Sequence, residues 1–179
     1  CGVPGRPFGE FMKAVSTLAQ DAFRDRCTNA ASRYLEAFSE RRAILANATA
    51  KYRVLFHLAP AFEMADRSLV FTNTREASYA ARAVLEQAGT RGDVVESETP
   101  RGERREVMNR FRRGLSRVVI APRVLDEGVD VPAADLGVIV AASQRQLQMI
   151  QRMGRVLRPK VDGRMARFVI LFVEGTSED

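Results

Sequence analysis

The spacing of apolar residues changes character once along the chain, near Ser68. Before that point apolar positions recur three and four apart, the period of one helix face. Phe8, Phe11, Met12, Val15, Leu18 and Ala19 form the first such stripe. Tyr34, Leu35, Phe38 and Leu45 predict a second helix over 30–46, and Tyr52, Leu55, Phe56 and Leu58 a third over 49–65. Pro60 falls inside the third. It is expected to kink or split that helix, because proline has no N–H and its ring crowds the preceding turn.

After Ser68, short continuous apolar runs alternate with helical stretches. Runs at 68–72, 117–121, 136–142 and 167–173 read as strands, with a weak one at Val94 and Val95. Asn73 and Thr74 are cap candidates for a helix through Ala77, Ala81 and Leu85 that ends near Gly89. Pro100 and Gly102 lead into a helix carrying Val107, Met108 and Phe111, stopped by Gly114, and a further helix is predicted over 144–157. Strands that are apolar throughout imply a parallel sheet covered on both faces. The expected fold class is α/β, a parallel sheet flanked by helices over 68–179, preceded by a helical segment over 1–67. Ligands of such sheets sit beyond the carboxyl ends of the strands. The loops after Thr72, Ala121 and Ala142 are therefore where chemistry is expected.

Composition narrows the class. A chain that is 46% hydrophobic and 28% charged can bury a core. No run approaches the roughly 18 apolar residues that span a bilayer, and no secretory signal opens the chain, so no membrane partner is expected. The start at Cys1 rather than Met predicts a fragment of a longer protein. Cys1 and Cys27 lack metal-ligand spacing; they could pair, but in a core-competent domain they read as free thiols in a reducing, cytoplasmic setting. The single histidine, His57, reads as a packing or surface residue, and no metal site is expected. Net charge is +6, and of 28 basic residues only Lys13, Lys51 and Lys160 are lysines. The arginine excess fits a polyanionic partner, since the guanidinium fork suits phosphate; it equally fits a GC-rich genome.

One segment stands out. Over 148–159 the chain reads Gln148, Met149, Ile150, Gln151, Arg152, Met153, Gly154, Arg155, Val156, Leu157, Arg158, Pro159. At 100° per residue, Gln148, Gln151, Arg155 and Arg158 fall within about 80° of arc, with the apolar residues opposite. Two arginines one turn apart can neutralise charge on a transferring phosphoryl group, or can simply form a solvated face. Between 101 and 117, Arg101, Arg104, Arg105, Arg110, Arg112, Arg113 and Arg117 oppose only Glu103 and Glu106. A backbone-contacting patch and a solvated basic helix both fit that run.

The 148–159 segment resembles motif VI of superfamily 2 helicases, Q-x-x-G-R-x-x-R. Residues 119–132, through Asp126, Glu127, Gly128, Val129 and Asp130, resemble motif V. Residues 68–75 resemble motif IV, and Pro100 to Gly114 resembles the helix between the two. All four occur in the family's order, closest to DEAD/DEAH-type and XPB-like members. The resemblance implies a RecA-like second motor domain of an ATP-dependent DNA or RNA helicase or translocase. It implies arginine fingers at Arg155 and Arg158, with Gln151 sensing the nucleotide. Gly128 and Asp130 lie near the ribose by the same resemblance. Thr72, Asn73 and Arg75 follow the nucleic-acid backbone, joined by Arg123, Arg104 and Arg105. Phe71 belongs to the same loop but reads as core. Many members carry a hydroxyl residue where this chain has Pro122, and Arg123 is the available substitute.

No G-x-x-x-x-G-K-[ST] loop and no acidic metal tetrad occurs. ATP and Mg2+ are thus expected to be held mainly by a partner domain, an absent first RecA-like half, and the chain alone is expected to be inactive. Residues 8–38 read as a helical insertion between motor halves. A bacterial, nucleoid-associated cytoplasmic location is expected. The rival classes are a non-catalytic nucleic-acid-binding module and the motor part of a restriction or defence enzyme. A Rossmann-type nucleotide binder is disfavoured, because no G-x-G-x-x-G follows a strand.

Overall fold

The computed structural model describes residues 3, 7–21, 25–122, 134–140, 165–176 and 178. The chain divides into two compact units, Cys1–Leu45 and Ala46–Asp179. The first is built on α1 (Phe8–Ala19) and most of α2 (Arg26–Ala46). Helix α2 begins four residues before the apolar pattern predicts. Asp25 is the reason: its carboxylate accepts the Thr28 N–H at 2.8 Å and satisfies an orphan donor of the first turn. Hydrogen bonds from the Thr28 backbone and side chain hold that carboxyl below its usual range. Cys27 is disulfide-bonded rather than the expected free thiol; spacing alone carried no signal for pairing.

The second unit opens with α3 (Thr49–His57) and α4 (Ala59–Met64). The expected single helix is split at Pro60, which sits in the first turn of α4, where its missing N–H costs nothing. Five strands follow: β1 (Ser68–Thr72), β2 (Asp93–Val94), β3 (Val118–Pro122), β4 (Leu136–Ile139) and β5 (Arg167–Ile170). They form one parallel sheet in the order β2-β3-β1-β4-β5. Helix α5 (Arg75–Gln87) joins β1 to β2, and α6 (Arg101–Arg112) joins β2 to β3. Gly89 and Gly114, just past these helices, have φ of 82° and 74°, the left-handed region that side chains resist.

The period of two along each strand sorts the core into two layers. Val70, Val118, Ile120, Leu136 and Val138 pack with Leu55 of α3, Phe62 of α4 and Leu85 of α5. Leu69, Phe71, Val119 and Ile139 pack with Val107, Met108 and Phe111 of α6. Both layers exclude water, which is why the strands read as unbroken apolar runs. Strand β5 stops at Ile170, short of the predicted 173; its partner among the described residues, β4, offers four residues of register. Helices α3 and α4, grouped by period with the leading segment, pack here through Leu55 and Phe62.

Charged side chains clamp the amino edge of the sheet. The Asp135 carboxylate accepts the N–H groups of Asp66 and Arg67 at 3.1 and 2.8 Å. The Arg117 guanidinium donates to the carbonyls of Glu63 and Ala65 at 2.9 and 2.7 Å, satisfying the end of α4. Past the carboxyl end of β5, Glu178 pairs with Lys51 of α3 at 2.6 Å, the two side chains only 7% and 2% exposed. Glu178 also accepts the Val173 N–H at 3.1 Å. Removing one partner of a buried pair strands the other charge. Lys51→Ala is therefore expected to cost the 179-residue chain about 3–5 kcal/mol in urea unfolding, with most of it recovered when Glu178→Gln is added to Lys51→Met. A Lys51→Ala chain as stable as the parent would mean that the pair does not form.

Candidate functional site at the carboxyl edge of the sheet

Because every pairing is parallel, the strands deliver their carboxyl ends to one edge. Thr72 lies opposite Pro122, Phe71 opposite Ile139 and Val94 opposite Ile120. The chain leaves β1 toward β2 and leaves β4 toward β5, on opposite sides. Where neighbouring strands send their connections apart, a crevice opens outside the carboxyl ends. Here those neighbours are β1 and β4.

The turn after β1 is held from within. The Thr72 and Ser78 hydroxyls are 2.7 Å apart, and both reach the Thr74 carbonyl, at 3.2 and 3.3 Å. Both residues have no exposed surface. Thr74 caps α5 by accepting the Ala77 N–H at 3.1 Å. The Thr72 side chain is thus committed to the turn rather than turned outward, and Phe71 is core, 2% exposed. Asn73 is half-buried. Arg75 projects from the first turn of α5 with a side chain 62% exposed, its guanidinium 5.8 Å from the Tyr79 ring centre.

Glu96, just past β2, ties this turn to α6. Its carboxylate lies 3.1 Å from the Arg75 Nε, and its carbonyl accepts Arg104 Nη2 at 2.6 Å. Arg104 also reaches the Ser97 carbonyl at 3.2 Å. Glu96 donates its own N–H to the Thr99 hydroxyl at 2.9 Å. Two buried atoms here lack partners, Glu96 Oε1 and Arg104 Nε. The structure therefore brings together Thr72, Asn73, Arg75 and Arg104, with Glu96 as the hub that sequence reading missed. Its signal was its position, the first polar residue after a strand on the loaded edge, hidden because β2 has only two residues.

Charge at this corner is mixed, not basic. Besides Glu96, Glu76 and Glu98 stand near Arg75. A hydrogen bond from its own backbone N–H, then one from the Thr74 side chain, lowers the Glu76 carboxyl below its usual range. Its own N–H and then the Ser97 hydroxyl do the same for Glu98, and the Arg75 charge adds to both. All three carboxylates oppose two guanidiniums.

The basic run of α6 also sorts itself. Arg104 and Arg117 serve carbonyls, Arg110 pairs with Asp93 at 2.9 Å and Arg112 reaches the Asn109 side chain at 2.7 Å. Arg101, Arg105 and Arg113 are exposed. A cleft of about 590 Å³ lies at the opposite, amino edge. Its Arg82, Arg110 and Arg117 are all engaged internally. Among the described residues no His, Cys, Asp and Glu group could hold a metal, and no helix is long and apolar enough to cross a membrane. His57 is exposed, edge-on to the Phe56 ring. Arg123, Gly128, Asp130, Gln151, Arg155 and Arg158 lie outside the described residues.

Residues 50–160 match the family described as helicase conserved C-terminal domain. The chain belongs to that family. This helicase C-terminal domain is 39% identical over 85 residues to the DNA 3'-5' translocase XPB2 of Sulfurisphaera tokodaii, covering 48% of this chain and 19% of that protein. It is 33% identical over 101 residues to the ATP-dependent RNA helicase DBP8 of Meyerozyma guilliermondii, covering 56% and 23%. Among solved structures it resembles the E. coli DEAD-box protein SrmB, with 27% identity, TM-score 0.57, and 68% and 69% of the two chains covered. The C-terminal domain of the DEAD-box protein Dbp5 matches in fold, with TM-score 0.60 and 24% identity over 75% of each chain. The helicase C-terminal domain spans under a fifth of the length of the first curated relatives it matches.

The hydroxyl cluster behind Arg75 makes a stability prediction. Thr72→Val keeps the shape but removes the Thr72 hydroxyl's bonds to Ser78 and to the Thr74 carbonyl, leaving the buried Ser78 hydroxyl with the Thr74 carbonyl alone. The domain should lose about 1–3 kcal/mol in denaturant unfolding; an unchanged midpoint would show that the cluster is not formed.

Proposed function

We propose that this chain is the second motor domain of an ATP-dependent nucleic-acid helicase or translocase. One observation carries the reading. The two strands that lead into the 123–133 and 141–164 segments, β3 and β4, flank β1 in a parallel sheet. Those segments and the Asn73–Arg75 turn are thus launched from adjacent positions on one edge. The family match, residues 50–160, spans the turn, the 123–133 segment and the 141–164 segment as far as residue 160.

ATP, with Mg2+, supplies the phosphoryl chemistry when bound, mainly on a partner RecA-like domain. In this chain Arg155 and Arg158 neutralise charge on the departing γ-phosphoryl group, and Gln151 senses the nucleotide. Gly128 and Asp130 flank the ribose. Pro122 brings neither hydroxyl nor N–H to the end of β3, so Arg123 takes the phosphate contact there. Asn73 and Arg75 follow a DNA or RNA backbone, with Arg104 bracing the loop beside them and Arg105 adding charge from α6. Thr72 shapes the turn that presents them. Because backbone contacts carry no sequence information, the track is not sequence-specific.

The 179-residue chain alone should show no measurable ATP turnover. In the intact protein, Arg155→Ala or Arg158→Ala should lower kcat about a thousandfold or more, with ATP affinity falling less. Near-normal turnover in either variant would remove the finger role. Salt-sensitive binding that ATP never alters would instead favour a non-catalytic binding module.

A further inference from the structure

The first unit carries a feature that the motor reading does not use. Phe8 and Phe11 of α1 meet Tyr34 and Phe38 of α2 in one cluster. Ring centres lie 5.2 Å apart for Phe11 and Tyr34, edge to face, and 6.2 Å apart for Tyr34 and Phe38, nearly parallel. Phe8 contacts both Phe11 and Phe38 at 6.3 and 5.9 Å. A cluster serving only as a core would be covered. Here Phe8 is 50% exposed and Tyr34 38%.

Cations are stationed on the same cluster. The Arg41 and Arg42 guanidiniums stand 5.4 and 5.9 Å from the Phe38 ring centre. Each is held there by attraction to the ring face rather than by a carboxylate. Glu36 and Glu40 are on the same helix, yet no ion pair forms between them and these arginines among the described residues. The surface thus offers open aromatic rings beside cations whose charge is not neutralised.

That combination suits a single-stranded nucleic acid. Every base has a π-face that stacks on an aromatic ring whatever its sequence, and its phosphates answer guanidiniums. A duplex keeps its bases stacked on each other and gives the rings nothing to hold. We infer that α1 and α2 form a single-strand contact. Bases stack on Phe8 and Tyr34, and phosphates meet Arg41 and Arg42. The inference rests on the proposed motor reading only for why a single strand is at hand.

The chain has no tryptophan, so Phe8→Trp installs a unique reporter. Its emission should be quenched by oligo-dT or oligo-U, saturating together with the fluorescence anisotropy of the labelled strand. Phe8→Leu and Tyr34→Leu keep apolar bulk and helical order, which circular dichroism checks. Each should weaken binding about five- to a hundredfold without changing its salt dependence. Arg41→Gln with Arg42→Gln should instead flatten the plot of log affinity against log salt by about 0.7 per lost contact. Unquenched Trp emission during strand binding, with parental affinity in the Leu variants, would overturn the inference. So would quenching by anionic lipid vesicles but not by oligonucleotides. Arg75→Ala with Arg105→Ala separates the two proposals. If only that pair weakens binding, the sheet-edge track stands and the aromatic contact falls; if only the Leu variants do, the reverse holds.

Discussion

Strand β1 is hydrogen-bonded on both sides by parallel neighbours and buried along all five residues. A strand so placed cannot hand polar groups to water, so whatever lies at its carboxyl end must be satisfied locally. Thr72 meets that demand through Ser78 and the Thr74 carbonyl. Its hydroxyl thereby fixes the turn, the turn sets Thr74 as cap, and the cap aims Arg75 outward from the first turn of α5. At the other end of β1, the Ser68 hydroxyl is buried without a partner.

Part of the arginine excess is architectural. Arg117 closes the end of α4, Arg67 donates to the Arg112 carbonyl, Arg104 braces the loop after β2 and Arg110 answers Asp93. A guanidinium presents five donors in a fixed fork, so it can serve two carbonyls at once, as Arg104 and Arg117 do. Within the 101–117 run, Arg101, Arg105 and Arg113 face solvent without such duties.

Local pattern carried most of the elements. Unbroken apolar runs foretold the parallel sheet because burial on both faces leaves no polar alternation. Thr74, Gly89, Gly114 and Pro60 marked boundaries because each acts through its own backbone or first-turn chemistry. Illegible were features whose two halves are distant in sequence. Lys51 and Glu178 are 127 residues apart, and neither carries a local hint of the other. Glu96 stands 21 positions from Arg75, after a strand too short to announce itself. The β5 end was misjudged too: β4 offers it four residues of register, fewer than its own apolar run.

The mixed charge around Arg75 fits a moving grip. On the proposed reading, a motor must hold its strand and release it once per cycle. Phosphate contacts made by unopposed cations bind tightly and shed slowly, and their strength swings with salt. Arg75 instead sits among Glu76, Glu96 and Glu98, so its net field is small while its direction is held by Glu96. Such a group contributes register more than affinity. The affinity then has to come from elsewhere, from the exposed arginines of α6 and, by the inference drawn for α1 and α2, from stacking that no phosphate charge controls. On the proposed reading, contacts divided in this way let a charge-opposed group such as Arg75 release a phosphate while other contacts persist.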